Sequence, residues 1–225
     1  MIKSRPSAYG CGVDYALQPE DRTDGRRFEV GPFTQRLVSL EGELGAGDAD
    51  ELVFVLSGSG TASVGADERP LRPGISLFIP AGISWTARGD AEAISVLVHE
   101  PDPSDGPAHV DCHEVERGTA TAGRQFVLGA PCPSATQFIG LIPPGRAPDH
   151  FHYYDEVIYV LEGEGYLDIS GEQAPVRPGT CIHLPKTLVH SLANTGAGEM
   201  RVLGVFRPAG SPAEAYYPDG TRAGM

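Results

Sequence analysis

Between His150 and Glu156 the chain reads HFHYYDE. In extended backbone, successive side chains point to opposite faces, so His150, His152, Tyr154 and Glu156 share one face. Two imidazoles and a carboxylate on one face make an incomplete metal site. The missing donor has to come from another strand, and His190, just beyond the turn at Pro185, is the natural candidate. Three neutral imidazoles and one carboxylate form a mixed nitrogen and oxygen set. Such a set suits one divalent transition metal: Mn, Fe, Ni, Co, Cu or Zn. In octahedral geometry, two positions stay open for water and a substrate oxygen. The metal and its bound water or O₂ would then carry the chemistry.

The elements that must hold these residues are short strands. VIYVL (157–161) and LVFVL (52–56) are apolar runs rich in β-branched and aromatic residues, as expected of strands buried between layers. Each is followed by Gly-x-Gly, which marks a tight turn or a close backbone approach. No long segment has helical periodicity. The two runs also belong to an internal repeat. DELVFVLSGSG from Asp50 matches DEVIYVLEGEG from Asp155, and the match continues to Pro80 and Pro185 at a constant offset of 105 residues. Upstream, Thr34-Gln35 matches Thr136-Gln137 at an offset of 102, so the first copy is three residues shorter between Gln35 and Glu51. A repeat of this kind implies one domain present twice in tandem.

The spacing His150-x-His152, three residues, Glu156, six residues, Gly163 resembles the first motif of the cupin superfamily. Gly179, Pro185, His190 and Asn194 fall at the positions of its second motif. Two turn positions depart from the pattern: Pro144 stands where the family opens with Gly, and Thr187 replaces the glycine after Pro185. The resemblance implies an all-β chain of two tandem cupin barrels, that is, double-stranded β-helix or jelly-roll domains. It also implies that His150, His152, Glu156 and His190 bind the metal. The first copy lacks that set. At the constant offset Trp85 stands for His190, and Gly45 and Gly47 stand for the other two histidines, with only Glu51 retained. No metal is expected there, and Trp85 is expected to fill the space. The expected organisation is an N-terminal arm (1–28), a metal-free barrel (29–99), a linker (100–122), a metal-binding barrel (123–210) and a surface-following tail (211–225).

Other residues near the motif are weaker candidates. Tyr154 and His183 are the side chains that could serve catalysis, Tyr154 by donating a hydrogen bond and His183 by lining the pocket. Arg146 and Lys186 lie close to ligands in sequence and could meet a substrate carboxylate, although a solvated charge is the default for each. Cys181 reads as an inert buried thiol. His109, Cys112 and His113 resemble a metal site only in composition.

The net charge of −13 disfavours nucleic acid and anionic membranes as partners. No apolar stretch approaches the length of a membrane span. Four scattered cysteines (Cys11, Cys112, Cys132, Cys181) and a polar start without an apolar leader fit reduced thiols in the cytoplasm. A small-molecule substrate is the expected partner, and exposed edge strands leave room for a homodimer. The family resemblance points to a metal-dependent enzyme of dioxygenase or oxidoreductase type acting on a small oxygenated molecule. An isomerase, lyase or hydrolase, or a ligand-binding barrel without catalysis, are the alternatives.

Overall fold

The computed structural model describes residues 15–18, 27–45, 47–101, 109–112 and 117–223. Regular structure among them is β, apart from a short 3-10 turn at Thr121–Gly123. Four antiparallel sheets form two barrels of two sheets each. In the second barrel the larger sheet runs in the spatial order Ala16–Leu17, Cys181–Leu184, Asp155–Glu162, Met200–Arg207, Thr136–Ile142, Gln125–Leu128, Arg117–Thr119. Its smaller sheet runs Gly145–Arg146, Ser191–Asn194, Gly165–Ile169, Glu172–Val176. The first barrel repeats this plan. Its larger sheet is His109–Cys112, Ile75–Ile79, Asp50–Ser57, Glu92–Val98, Phe33–Ser39, Arg27–Val30, and its smaller sheet is Gly42–Leu44, Trp85–Gly89, Gly60–Val64, Asp67–Leu71.

The pairing register shows that the repeat is structural. Val53 lies opposite Leu77, and Ile158, 105 residues on, lies opposite Ile182. Arg36 lies opposite Ser95, and Phe138, 102 residues on, lies opposite Gly204. The edge strands are exchanged between the barrels. Ala16–Leu17 precedes the first barrel but pairs with Cys181–Leu184 of the second. His109–Cys112, in the segment expected as linker, pairs with Ile75–Ile79 of the first. Each strand that leads into one barrel therefore completes the other.

The apolar runs are buried on both faces, which is why they do not alternate. In Asp50–Ser57, Val53 and Val55 face the interior of the first barrel, while Leu52 and Phe54 face the second. In Asp155–Glu162, Ile158 and Val160 face inward, while Val157, with Ile139, Leu203 and Val205 of the same sheet, joins Leu52, Phe54, Ile94 and Val96 of the first barrel in one apolar layer. Fully burying such a side chain contributes about 1.5–3 kcal/mol, so the inter-barrel layer is a core in its own right. Gly165 explains one of the Gly-x-Gly signals: a Cβ there would collide with the carbonyl of Ala193 on the neighbouring strand.

Candidate metal centre

The HFHYYDE segment is not one continuous strand. His150 and Phe151 make isolated bridges, the chain bends at Tyr153 and Tyr154, and the strand begins at Asp155. The four side chains of common parity nevertheless line one cavity. His150 and His190 are direct cross-strand partners, joined by two backbone hydrogen bonds of 3.0 and 2.9 Å. A ligand nitrogen from each of His150, His152 and His190 falls within 4.8 Å of the others.

The orientation of each ring is fixed from behind. The Nδ1 of His150 meets the carbonyl of Pro148 at 2.8 Å, that of His190 meets Leu188 at 2.9 Å, and that of His152 meets Glu214 at 2.6 Å. A carbonyl only accepts, so each Nδ1 must donate. That assigns the proton to Nδ1 and leaves each Nε2 lone pair for the centre of the cluster. Burial keeps the rings neutral. It lowers the pKa of His150, lowers that of His152 to about 3, and holds that of His190 well below 6.5. Three rigid, neutral imidazoles are the form in which histidine binds a transition metal.

Glu156 lines the same cavity and is 4% exposed, but its oxygens lie outside the 4.8 Å histidine cluster. Burial pushes its pKa up to about 8, which the charge of Arg124 offsets only in part. Without a cation beside it, this carboxyl is mainly protonated at neutral pH. Gly204, on the neighbouring strand two residues from the Glu156 partner Phe206, leaves it room, since a Cβ there would sit 3.1 Å from Oε1 of Glu156. Tyr154 stacks between His152, with ring centroids 4.6 Å apart, and Phe206, at 3.9 Å. Burial, followed by the charge of Glu156, drives its pKa well above 10, so its hydroxyl is a donor. The cavity has a volume of about 90 Å³. Much of its remaining wall is apolar, with Ile142, Ile158, Leu167 and Phe138 among the lining residues.

Two features of the site have no motif in the sequence. Arg124, just ahead of the strand Gln125–Leu128, lines the cavity and donates from Nη2 to the carbonyl of Leu192. Burial lowers its pKa to about 10, against a smaller opposing effect of Glu156. The second feature is the C-terminal tail. It was expected to follow the surface, but it closes the cavity: Pro212 and Ala215 line it, and the carbonyl of Glu214 holds His152. The tail is anchored by paired backbone bonds of 2.9 and 3.0 Å between Phe151 and Tyr216, and by stacking of their rings at 5.8 Å. The only sequence signal was the pair of tyrosines in an otherwise Pro- and Gly-containing stretch.

The other candidates lie elsewhere. His183 is excluded from the cavity because Ile182 and Leu184 occupy its inward face. His183 points toward the first barrel, where its Nε2 would lie 3.1 Å from a Cβ on Gly31. Arg146 is bound outside to Asp149 at 2.5 Å and Asp168 at 3.7 Å. Lys186 is exposed, and Cys181 is buried in the sheet. His113 and Cys11 lie outside the described residues, and of His109 and Cys112 only the strand is described.

In the first barrel the retained carboxylate has other partners. Glu51 takes the Arg36 guanidinium at 2.8 Å, the Ser95 hydroxyl at 2.5 Å and the Trp85 indole N–H at 3.3 Å. Trp85 is buried, as its place in the repeat suggested. Its cross-strand partner is Leu44, so Leu44, and not Gly45, holds the place of His150. The carbonyl of Gly47 accepts from Gly82 as that of His152 accepts from Thr187, so Gly47 does stand for His152. Thr187 keeps the turn with φ 65°, a strained value for a β-branched residue that Gly82 adopts freely at 79°.

A family model described as "Cupin domain" matches residues 138–206. Polyketide synthase CurC of Streptomyces cyaneus is 31% identical over 103 residues, which span 67% of that protein. The other curated relatives are matched over 44–58% of their length. Among solved structures, protein YlbA from E. coli superposes with a TM-score of 0.70 at 17% identity, covering 89% of this chain and 94% of its own. An oxalate decarboxylase of Bacillus subtilis, studied for its Mn(II) centres, superposes at 0.65 with 12% identity, covering 90% of this chain and 79% of its own. At these identities the structures speak to fold alone.

Proposed function

Because this chain belongs to the cupin family, we propose that its second barrel is a metal-dependent catalytic site acting on a small oxygenated organic molecule. The observation that carries the reading is the triple second-sphere arrangement. Three imidazoles from two segments of the chain each have Nδ1 committed to a backbone carbonyl, and their free nitrogens converge in a cavity with a largely apolar wall. A histidine cluster that served packing alone would not need all three tautomers set the same way. The bound divalent ion would supply Lewis acidity and, if redox-active, access to O₂.

The chain's own groups would do the rest. Glu156 would complete the donor set as a carboxylate. Tyr154, held by stacking on both faces, would donate a hydrogen bond to a substrate oxygen. The apolar wall and the tail would exclude water and hold the body of the substrate. The family resemblance makes dioxygenase-type oxidoreduction the first activity to test. A redox-neutral reaction, such as an isomerisation, elimination or hydrolysis, is favoured by one observation: a protonated tyrosine lies stacked against a candidate ligand, where it can serve as an acid.

The test is elemental analysis of protein purified without chelators, followed by reconstitution with Fe(II), Mn(II) or Zn(II). Oxygen uptake would be measured against a panel of small carboxylates and catechols. Metal near one equivalent, lost in His190→Ala, supports the site. O₂ uptake with Fe or Mn but not Zn assigns oxidoreduction, and turnover with Zn and no O₂ assigns the redox-neutral reaction. Failure to retain any of the three metals refutes the reading.

A further inference from the structure

Arg124 is the only lysine or arginine among the described residues that line the metal cavity. One of its nitrogens is committed to the Leu192 carbonyl, which fixes the guanidinium at the cavity wall. Its charge reaches each of the three histidines and Glu156, lowering the proton affinity of all four. It therefore sits at the centre of the site's electrostatics.

The charge count is unfavourable for so enclosed a space. With a divalent ion bound, that ion and Arg124 outweigh the one carboxylate, Glu156, by two positive charges. Uncompensated charge in a low-dielectric cavity is costly, and no second carboxylate lines the cavity among the described residues. The surrounding protein, at −13, attracts cations rather than supplying anions to the interior. The missing negative charge has to arrive with the ligand.

We propose that Arg124 is the anion anchor of this cavity and that the substrate is a small organic carboxylate. Its carboxylate pairs with the guanidinium, and its apolar body lies against Phe126, Phe138 and Ile142. A planar fork of donors matches a carboxylate in a way that a lysine ammonium does not. The inference deepens the proposed metal-dependent activity and rests on it for the full charge count. The pairing of Arg124 with a carboxylate, however, can be tested with or without the metal.

The experiment titrates the full chain, Mn(II)-loaded and chelator-treated, with benzoate and its neutral isostere benzamide by calorimetry. Wild type is compared with Arg124→Met and Arg124→Lys, and metal affinity and thermal midpoint are measured for each. In both forms, wild type is expected to hold benzoate at least about 10-fold more tightly than benzamide, and Arg124→Met to lose that preference. Arg124→Lys should keep part of it. Metal affinity in Arg124→Met should be unchanged or higher, because a like charge has been removed.

Benzoate binding that is absent in wild type, or unaltered in Arg124→Met, overturns the proposal. So does equal loss of both probes with a fall in metal affinity, which marks Arg124 as a brace for Leu192. If wild type retains no metal but the chelator-treated form still prefers benzoate through Arg124, the anchor stands and the metal-dependent reading fails.

Discussion

Loading the second barrel with metal should release close to one proton at neutral pH, and that proton should come from Glu156. In the metal-free protein the Glu156 carboxyl has a pKa of about 8, while His152 lies at about 3 and His190 well below its usual value. At pH 7 the carboxyl is then about nine-tenths protonated, and deprotonating it to make a ligand costs roughly 1.4 kcal/mol of metal affinity. The imidazoles contribute almost nothing because they are already neutral. At pH 6 the count stays near one. Three unperturbed histidines would instead add about two further protons at that pH. At pH 9 the release should fall to about a tenth.

Calorimetric titration with Mn(II), in buffers of different ionisation enthalpy at pH 6, 7 and 9, reads the number directly. Mn(II) is chosen over Zn(II) because zinc acidifies its bound water enough to add a proton of its own. Glu156→Gln should release essentially none at pH 7. A wild-type release near zero at pH 7 would mean that Glu156 does not ligate. A release of two or more at pH 6 would mean that the imidazoles are not held neutral by burial.

The same shifts set the acid stability of the metal-free protein. Buried rings with depressed pKa values refuse protons that the unfolded chain accepts. Stability from this source is complete above pH 6.5 and is lost as pH falls toward the folded-state values. His152 alone contributes about 1.4 kcal/mol per pH unit between 6.5 and about 3. Glu156 acts in the opposite sense, its contribution being complete below pH 4.5 and lost as pH rises through about 8.

Two further outcomes follow from the packing. Ending the chain after Gly210 removes the carbonyl that orients His152, so metal affinity should fall by roughly 10- to 100-fold. Tyr216→Ala, which removes the stack on Phe151 and the edge contact with Tyr153, should weaken it less; wild-type affinity in the truncated protein would show that the tail merely rests on the barrel. Trp85→His should restore no metal to the first barrel, since Leu44 and Gly47 stand where the other imidazoles would be. It should also cost about 3 kcal/mol by emptying a filled core, measured as a shift in denaturant midpoint.

The histidine set and the repeat were legible because they are short-range facts: fixed spacing, common parity and a constant offset. His183 was expected to line the pocket, but Ile182 and Leu184, of opposite parity, take the interior. The residues that escaped notice act across sheets. Arg124 reaches the cavity from an edge hairpin, and Glu214 reaches His152 over 62 residues. Neither relation leaves a period or a spacing in the chain. Gly45 was placed at His150 for a related reason: the sequence shows only the net shift of three, whereas the pairing of Leu44 with Trp85 gives an offset of 106 there against 105 at Gly47, so the first copy also carries one extra residue between them.

The comparison of the two barrels explains what the retained carboxylate requires. A buried glutamate is stable only as a neutral acid or beside a cation. In the second barrel Phe138 and Gly204 flank Glu156 and offer no charge, and Arg124 offsets its burial only in part, which leaves the carboxyl to a proton or to a metal held by the histidines. In the first barrel the equivalent positions are Arg36 and Ser95, and both bond to Glu51. A guanidinium thus occupies the electrostatic role of the ion. Replacing Arg36 with Met should therefore leave the Glu51 carboxylate buried without its guanidinium and destabilise the first barrel by roughly 3–5 kcal/mol. An equally large loss when Arg36→Met is made in a Glu51→Gln background, measured by urea unfolding, would show that Arg36 contributes by packing and not by charge.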